Sequence, residues 1–149
     1  MAFEALQAHL ESLGIEPLGD AFEPIPAEVW QPIEAAAGGH FPPVVRWLFE
    51  RYGGFTFEVG AVYDTPRHRE NLFGLFVSAA ELAEAFDATR DSMPDSLVPL
   101  VDDGGGNYLS VDLETGAIAF WVHDAPLDRN VEPVAESAEA FFMSLYKGP

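Results

Sequence analysis

The chain contains no cysteine, which removes disulfides, thiolate nucleophiles and cysteine metal sites from consideration. Positive charge is almost as scarce. Seven Lys and Arg stand against 25 Asp and Glu in 149 residues, a formal net charge of -18. A nucleic-acid binder typically makes about 6 to 10 phosphate contacts, whereas Arg46, Arg51, Arg67, Arg69, Arg90, Arg129 and Lys147 are scattered along the chain. No nucleic-acid partner is therefore expected, and anionic membrane would be repelled as well. No apolar run approaches the roughly 18 residues of a membrane span. Met1 to Ile15 lacks the cationic opening and unbroken apolar stretch of a signal peptide, so the expected location is the cytoplasm.

Most patterns that carry chemistry are also missing. The histidines, His9, His40, His68 and His123, are not spaced as zinc ligands. His123 is followed by Asp124, but adjacent strand residues point to opposite faces, a poor arrangement for a carboxylate-oriented base. Gly104, Gly105 and Gly106 could let backbone amides converge on an anion. No lysine follows them, the next element reads as a strand, and Asp102 and Asp103 would repel phosphate. The loop also lacks the spaced ligands and closing glutamate of a calcium loop, and no serine sits in a G-x-S-x-G elbow. The expectation is a protein without cofactor or metal that is not an enzyme.

What the chain does have is periodicity. Phe3, Leu6, Leu10 and Leu13 form one stripe of an amphipathic helix stopped by Gly14. Residues 16–26 carry three prolines and read as an extended surface connection. Ala27–Ala37 and Pro43–Tyr52 read as helices, the latter with a buried stripe of Val44, Trp47, Leu48 and the stem of Arg51. The period then falls to two over Phe55–Tyr63, a half-buried strand, and Leu72–Val77 reads as a second, shorter one. Ser78 and Glu81 form a capping box for a helix to about Thr89. Leu97–Val101, Asn107–Leu113 and Ala117–His123 follow as strands, and a last helix runs from about Ser137 to Tyr146.

Parity constrains the late hairpin. Leu109, Val111 and Leu113 share a face with Ile118, Phe120 and Val122 only if the loop holds an even number of residues. A two-residue turn, Thr115–Gly116, would pair Leu113 with Ile118 and Val111 with Phe120. Tyr108, Ser110, Asp112, Trp121 and His123 then occupy the opposite face. Trp121 there has two readings, an interface aromatic beside acidic groups or a core residue under a covering helix.

The run Pro99 to Asp124, PLVDDGGGNYLSVDLETGAIAFWVHD, resembles the central signature of the SUKH superfamily, which includes bacterial immunity proteins and a fungal cell-wall regulator. Ile33, Glu34, Phe41, Pro42, Trp47 and Leu48 closing on Gly53 and Gly54 resemble its amino-terminal motif, and Ala135, Ser137, Phe141 and Leu145 its closing helix. The resemblance implies a single α+β domain with a mostly antiparallel sheet flanked by helices over residues 27–147. Residues 1–26 would then be an amino-terminal helical extension packed on it. It also implies a cytoplasmic immunity protein that binds a cognate toxin. Many such toxins are basic nucleases, which agrees with the acidic charge. The expected partner is a cognate toxin or other basic protein, neutralised by occlusion of its cationic site. The expected contact residues are Asp102, Asp103, Tyr108, Asp112, Trp121 and Asp124. The alternative is a regulatory or scaffold module for an endogenous intracellular partner.

Overall fold

The fold is seen in a computed structural model that describes residues 3–127 and 129–149. The elements are α1 (Glu4–Ser12), β1 (Ile15–Pro17), α2 (Ala27–Ala37), α3 (Pro43–Arg51), β2 (Phe55–Phe57), β3 (Ala61–Tyr63), β4 (Asn71–Leu72), β5 (Leu75–Phe76), α4 (Ala79–Thr89), β6 (Leu97–Asp102), β7 (Tyr108–Asp112), β8 (Ile118–Trp121), β9 (Val131–Ala135), α5 (Ala138–Ser144) and β10 (Tyr146–Lys147). An antiparallel sheet of order β1-β2-β5-β6-β7-β8-β9 is accompanied by a small sheet, β10-β3-β4. This is the α+β architecture expected, with helices around a mostly antiparallel sheet. The main core draws on all five helices, through Leu6, Ile33, Leu48, Leu82 and Phe141, and on the sheet through Phe55, Phe76, Val101, Val111 and Ile118.

Several elements differ in detail from the sequence reading. The expected strand Phe55–Tyr63 is two strands in different sheets. The chain turns at Gly60, whose φ is +70°, and Val59, within the connection, is 54% exposed. Leu72–Val77 divides in the same way. Gly74 lies where a Cβ would come 1.9 Å from the Asp102 carbonyl oxygen, so the backbones cross too closely for any other residue. Glu16 and Pro17, read as the start of an extended surface connection, form with Ile15 an edge strand on β2. In α3 the buried positions are Val44, Val45, Leu48 and Phe49. Trp47 is half-buried and Arg51 is exposed, its guanidinium lying 5.6 Å from the centre of the Tyr52 ring. The helix is rotated because Phe49 is the side chain that reaches Trp30, Phe41 and Phe76.

Side chains cap two helix starts, α4 as expected and α5, while α1, α2 and α3 begin without a side-chain cap bond. Ser78 Oγ accepts from the Glu81 amide and Ser137 Oγ accepts from the Ala140 amide. Glu81 bonds back to the Ser78 hydroxyl. No helix is long and apolar enough to cross a membrane among the described residues.

The β7–β8 hairpin keeps the expected faces but shifts its register by two. Val111 pairs with Ile118 and Leu109 with Phe120. The loop is four residues, Leu113 to Gly116, closed by the Asp112 amide on the Ala117 carbonyl. Two forces make it longer than two residues. Asp112 Oδ1 accepts from the Glu114 amide, starting a turn before the strand can continue. Leu113 is drawn off the ladder, its amide bonded to Ser96 O and its Cβ seated against Gly39. Four is even, so the parity that assigns the faces survives.

Candidate functional site

The face of the sheet opposite the main core is covered at its centre by the segment after α4. Met93, Leu97 and Trp121 form a small second core with Tyr108 and Val131 packed against it. Trp121 is 4% exposed. Its indole Nε1 donates to Ser92 O at 3.2 Å, and Asn130 Nδ2 donates to the same carbonyl at 3.0 Å. The expectation that Trp121 meets a partner is therefore corrected, because a loop occupies its outer side. Its ring stacks against Tyr108 instead, with centroids 6.3 Å apart, and so holds Tyr108 half-exposed at the margin of that cover.

Tyr108 lies in a negative field. Its phenol is pushed above the ordinary tyrosine range by burial and then by the carboxylates of Asp102, Glu81 and Asp103. Asp102 is directly paired with Tyr108 across β6 and β7. Glu81, which the sequence offered only as a capping residue, joins this group because the first turn of α4 stands beside that end of the sheet. The field reaches further: the buried phenol of Tyr63 is pushed up by desolvation, then by Asp103 and Glu132.

The two aspartates of the glycine loop are tied into it. Asp102 Oδ1 accepts from Gly104 N, and Asp103 Oδ1 from Gly105 N and Asn107 N. Asp103 Oδ2 accepts from Asn107 Nδ2. Asn107 Oδ1 in turn accepts from the backbone amide and ring Nδ1 of His123, whose ring lies over Gly106, a residue with φ of +92°. A carboxylate that accepts amide hydrogen bonds holds a fixed position. The glycines serve this turn, as the sequence suggested.

Of the six expected contact residues, the structure brings Asp102, Asp103 and Tyr108 together. It places Asp124 just beyond His123, at the same end. Asp112 lies at the far end of β7, opposite Leu97, about 13 Å away at strand rise, and its carboxylate serves the hairpin turn. Among the described residues no group of three or more His, Asp or Glu is placed to hold a metal ion.

A seven-stranded antiparallel sheet under helices, entered at β7 through an acidic glycine-rich turn, defines an α+β domain of the SUKH type. Residues 27–142 match the SUKH family described as SMI1-KNR4 cell-wall, and the chain belongs to that family. The family includes immunity proteins and is not known as enzymatic. The chain is also similar to the SPbeta prophage-derived uncharacterized protein YokK of Bacillus subtilis (strain 168), at 32% identity over 87 residues. That match covers 58% of this chain and 45% of the relative, so the chain spans under half of that relative's length. The family match begins at α2, although Leu6, Leu10 and Leu13 of the preceding segment are part of the main core.

Proposed function

We propose that this chain is an immunity protein of the cytoplasm that neutralises a basic toxin domain, of nuclease type, by covering its cationic substrate site. The protein does no chemistry of its own in this reading. The supporting observation is the group of Glu81, Asp102 and Asp103 around the half-exposed Tyr108 on a sheet end that Trp121 and the Asp103–Asn107–His123 links hold rigid. Fixed negative charge around one aromatic suits a cationic protein surface. It raises association rates by about 10 to 1,000 fold at low salt, while the aromatic supplies a desolvated anchor. Asp124 extends the patch. Asp112 stands apart and is a peripheral contact at most.

The test pairs the chain with a basic nuclease-type toxin domain, sought at the carboxy-terminal end of any large secreted protein whose gene adjoins its own. The association rate should fall steeply between 20 mM and 500 mM salt, as the Debye length shrinks below its value of about 8 Å at physiological ionic strength. Glu81→Gln with Asp102→Asn, which keep the acceptor oxygens of the cap and the turn, should weaken protection of cells that express the toxin domain, while circular dichroism stays unchanged. Full protection by this double variant overturns the reading.

A further inference from the structure

One row of side chains crosses β1, β2, β5, β6 and β7 on the face of the large sheet that turns away from the main core. Glu16 pairs with Thr56. Phe55 pairs with Phe76, which sets Thr56 beside Leu75, and the Thr56 hydroxyl donates to Gly74 O at 3.1 Å. Leu75 pairs with Asp102, and Asp102 with Tyr108. Directly paired residues of an antiparallel ladder share a face, and the neighbours Phe55, Phe76 and Val101 are buried on the other one. At the next strand the Met93 segment covers the sheet over Trp121. Short of that cover the row is open. Glu16 is exposed, Thr56, Asp102 and Tyr108 are half-buried, and Leu75 is 39% exposed.

The row sets apolar surface between negative charges. Leu18, two residues beyond Glu16, lies over Gly54 and is itself 37% exposed. Glu16, Glu81 and Asp102 form no ion pair among the described residues. The arginines lie elsewhere: Arg46, Arg51 and Arg90 over the rings of Trp30, Tyr52 and Phe86, Arg69 beside Asp64, and Arg67 and Arg129 near the β8–β9 connection. The complement of this face is therefore cationic with an apolar centre. Its backbone must also be self-sufficient. β2, β5, β6 and β7 each have a strand on both sides, so their ladders leave no main-chain groups for an occupant. An extended segment laid across them would gain no main-chain bonds from this chain, whereas a helix satisfies its own.

We propose that this row seats an amphipathic helix of the basic partner, with an apolar residue on Leu75 and a cation on each side of it. The inference rests on the reading that this end of the sheet meets a basic protein, and it adds the form in which that protein presents its charge. Strands lie about 4.8 Å apart, so Leu75 is about 10 Å from Glu16, and Asp102 about 14 Å. A helix rising about 1.5 Å per residue spans these separations with positions i, i+7 and i+11, which fall on one face. The cation at i meets Glu16. The one at i+11 meets Asp102 and Glu81 and lies beside the Tyr108 ring.

The test titrates the full chain, labelled with nitrogen-15, at low salt. The probe is a peptide of about 18 residues, long enough for this span, locked as a helix by a lactam on its far face and carrying Arg, Leu and Arg at i, i+7 and i+11. A second peptide of the same composition carries the Leu on the far face. Saturable amide shifts are expected at Glu16, Thr56, Leu75 and Tyr108, with affinity about tenfold or more above that of the second peptide. Leu75→Thr, which keeps a β-branched residue at an exposed strand position, should remove that advantage. The proposal is overturned if the two peptides bind equally, if the shifts stay at Asp102 and Tyr108 and leave Glu16 and Leu75 unmoved, or if no saturable shift occurs up to millimolar concentration. Equal binding would sink the helix and leave the basic partner standing. The basic partner fails on a different result, full protection of cells by Glu81→Gln with Asp102→Asn.

Discussion

Replacing Glu34 by Gln tests how a shallowly buried carboxylate stabilises the junction between α2 and α3. Glu34 is 6% exposed. Its Oε2 accepts from the Phe41 amide at 2.6 Å and from Arg46 Nη2 at 2.8 Å, while His40 Nδ1 lies 3.5 Å from Oε1. Desolvation pushes its pKa up, but the Phe41 amide and Arg46 outweigh it, and the net direction is down from 4.5. Hydrogen bonds to a charged acceptor contribute about 1.5 to 3 kcal/mol, and neutral ones about 0.5 to 1.5. Gln keeps an acceptor oxygen, so the loss is about 1 kcal/mol for each of the two bonds. Arg46 is partly exposed and can be rehydrated, so no large penalty for an unpaired buried charge is added. The expected cost is about 2 kcal/mol, or about 4 to 8 °C in Tm for a chain of this length. Because the folded-state pKa is lowered, this stabilisation is complete above the unfolded pKa near 4.5. It is lost as pH falls through the lower folded value. Urea unfolding of both proteins at pH 7 and pH 3 should show a gap that closes at the acid end. A gap below about 0.5 kcal/mol at pH 7, or one unchanged at pH 3, refutes the reasoning.

Other changes probe other parts of the chain. Gly53→Ala should cost more than about 2 kcal/mol in urea unfolding, since φ is +66° and the new Cβ would lie 1.8 Å from Glu23 O. Trp121→Ala should cost about 3 to 5 kcal/mol through the second core, so any loss of partner binding in that variant should track loss of fold. Asp64 accepts from the Tyr146 hydroxyl at 2.6 Å, which holds its pKa below the ordinary aspartate value. Tyr146→Phe should therefore raise the Asp64 pKa in a carbon-13 NMR titration, and an unmoved midpoint would count against that bond.

The helices were legible because their signals are local. The stripe of α1, the proline opening of α3 and the Ser78 cap each lie within a few residues of what they control. The faces of the β7–β8 hairpin were legible from parity, but its register was not. That depends on Asp112 bonding Glu114 and on Leu113 reaching Ser96 and Gly39, contacts that no alternation pattern encodes. The division of Phe55–Tyr63 between two sheets was hidden for the same reason, because alternation continues across Gly60 while the chain changes partners. At the candidate site, the proximity of Asp102, Asp103 and Tyr108 is legible because they are near in sequence. The approach of Glu81 to Tyr108 is tertiary and is not. The burial of Trp121 is not legible, because it depends on the Ser92–Met93 segment lying over its ring. No periodic feature of Arg90–Ser96 announces that cover.

Asp103 is where the roles of fold and charge can be separated. Its Oδ1 accepts from Gly105 N and Asn107 N, and its Oδ2 from Asn107 Nδ2. An asparagine oxygen can replace Oδ1 and keep both backbone bonds, while its NH₂ group would face the Asn107 NH₂ and forfeit the third. Asp103→Asn should therefore cost only about 1 kcal/mol, the worth of one exposed side-chain bond, because solvent screens the lost charge at the two retained bonds of this exposed loop, and remove one negative charge from beside Tyr108. Asp103→Ala loses all three bonds and should loosen the Asn107–His123 link as well. If fixed charge is what a cationic partner reads, Asp103→Asn should slow association and flatten its salt dependence while the unfolding midpoint barely moves. The Tyr108 phenol should also titrate lower, because one of the carboxylates pushing it up is gone. A variant that binds at the parent rate, yet shows the tyrosine shift, would mean that the field exists and that the partner does not use it.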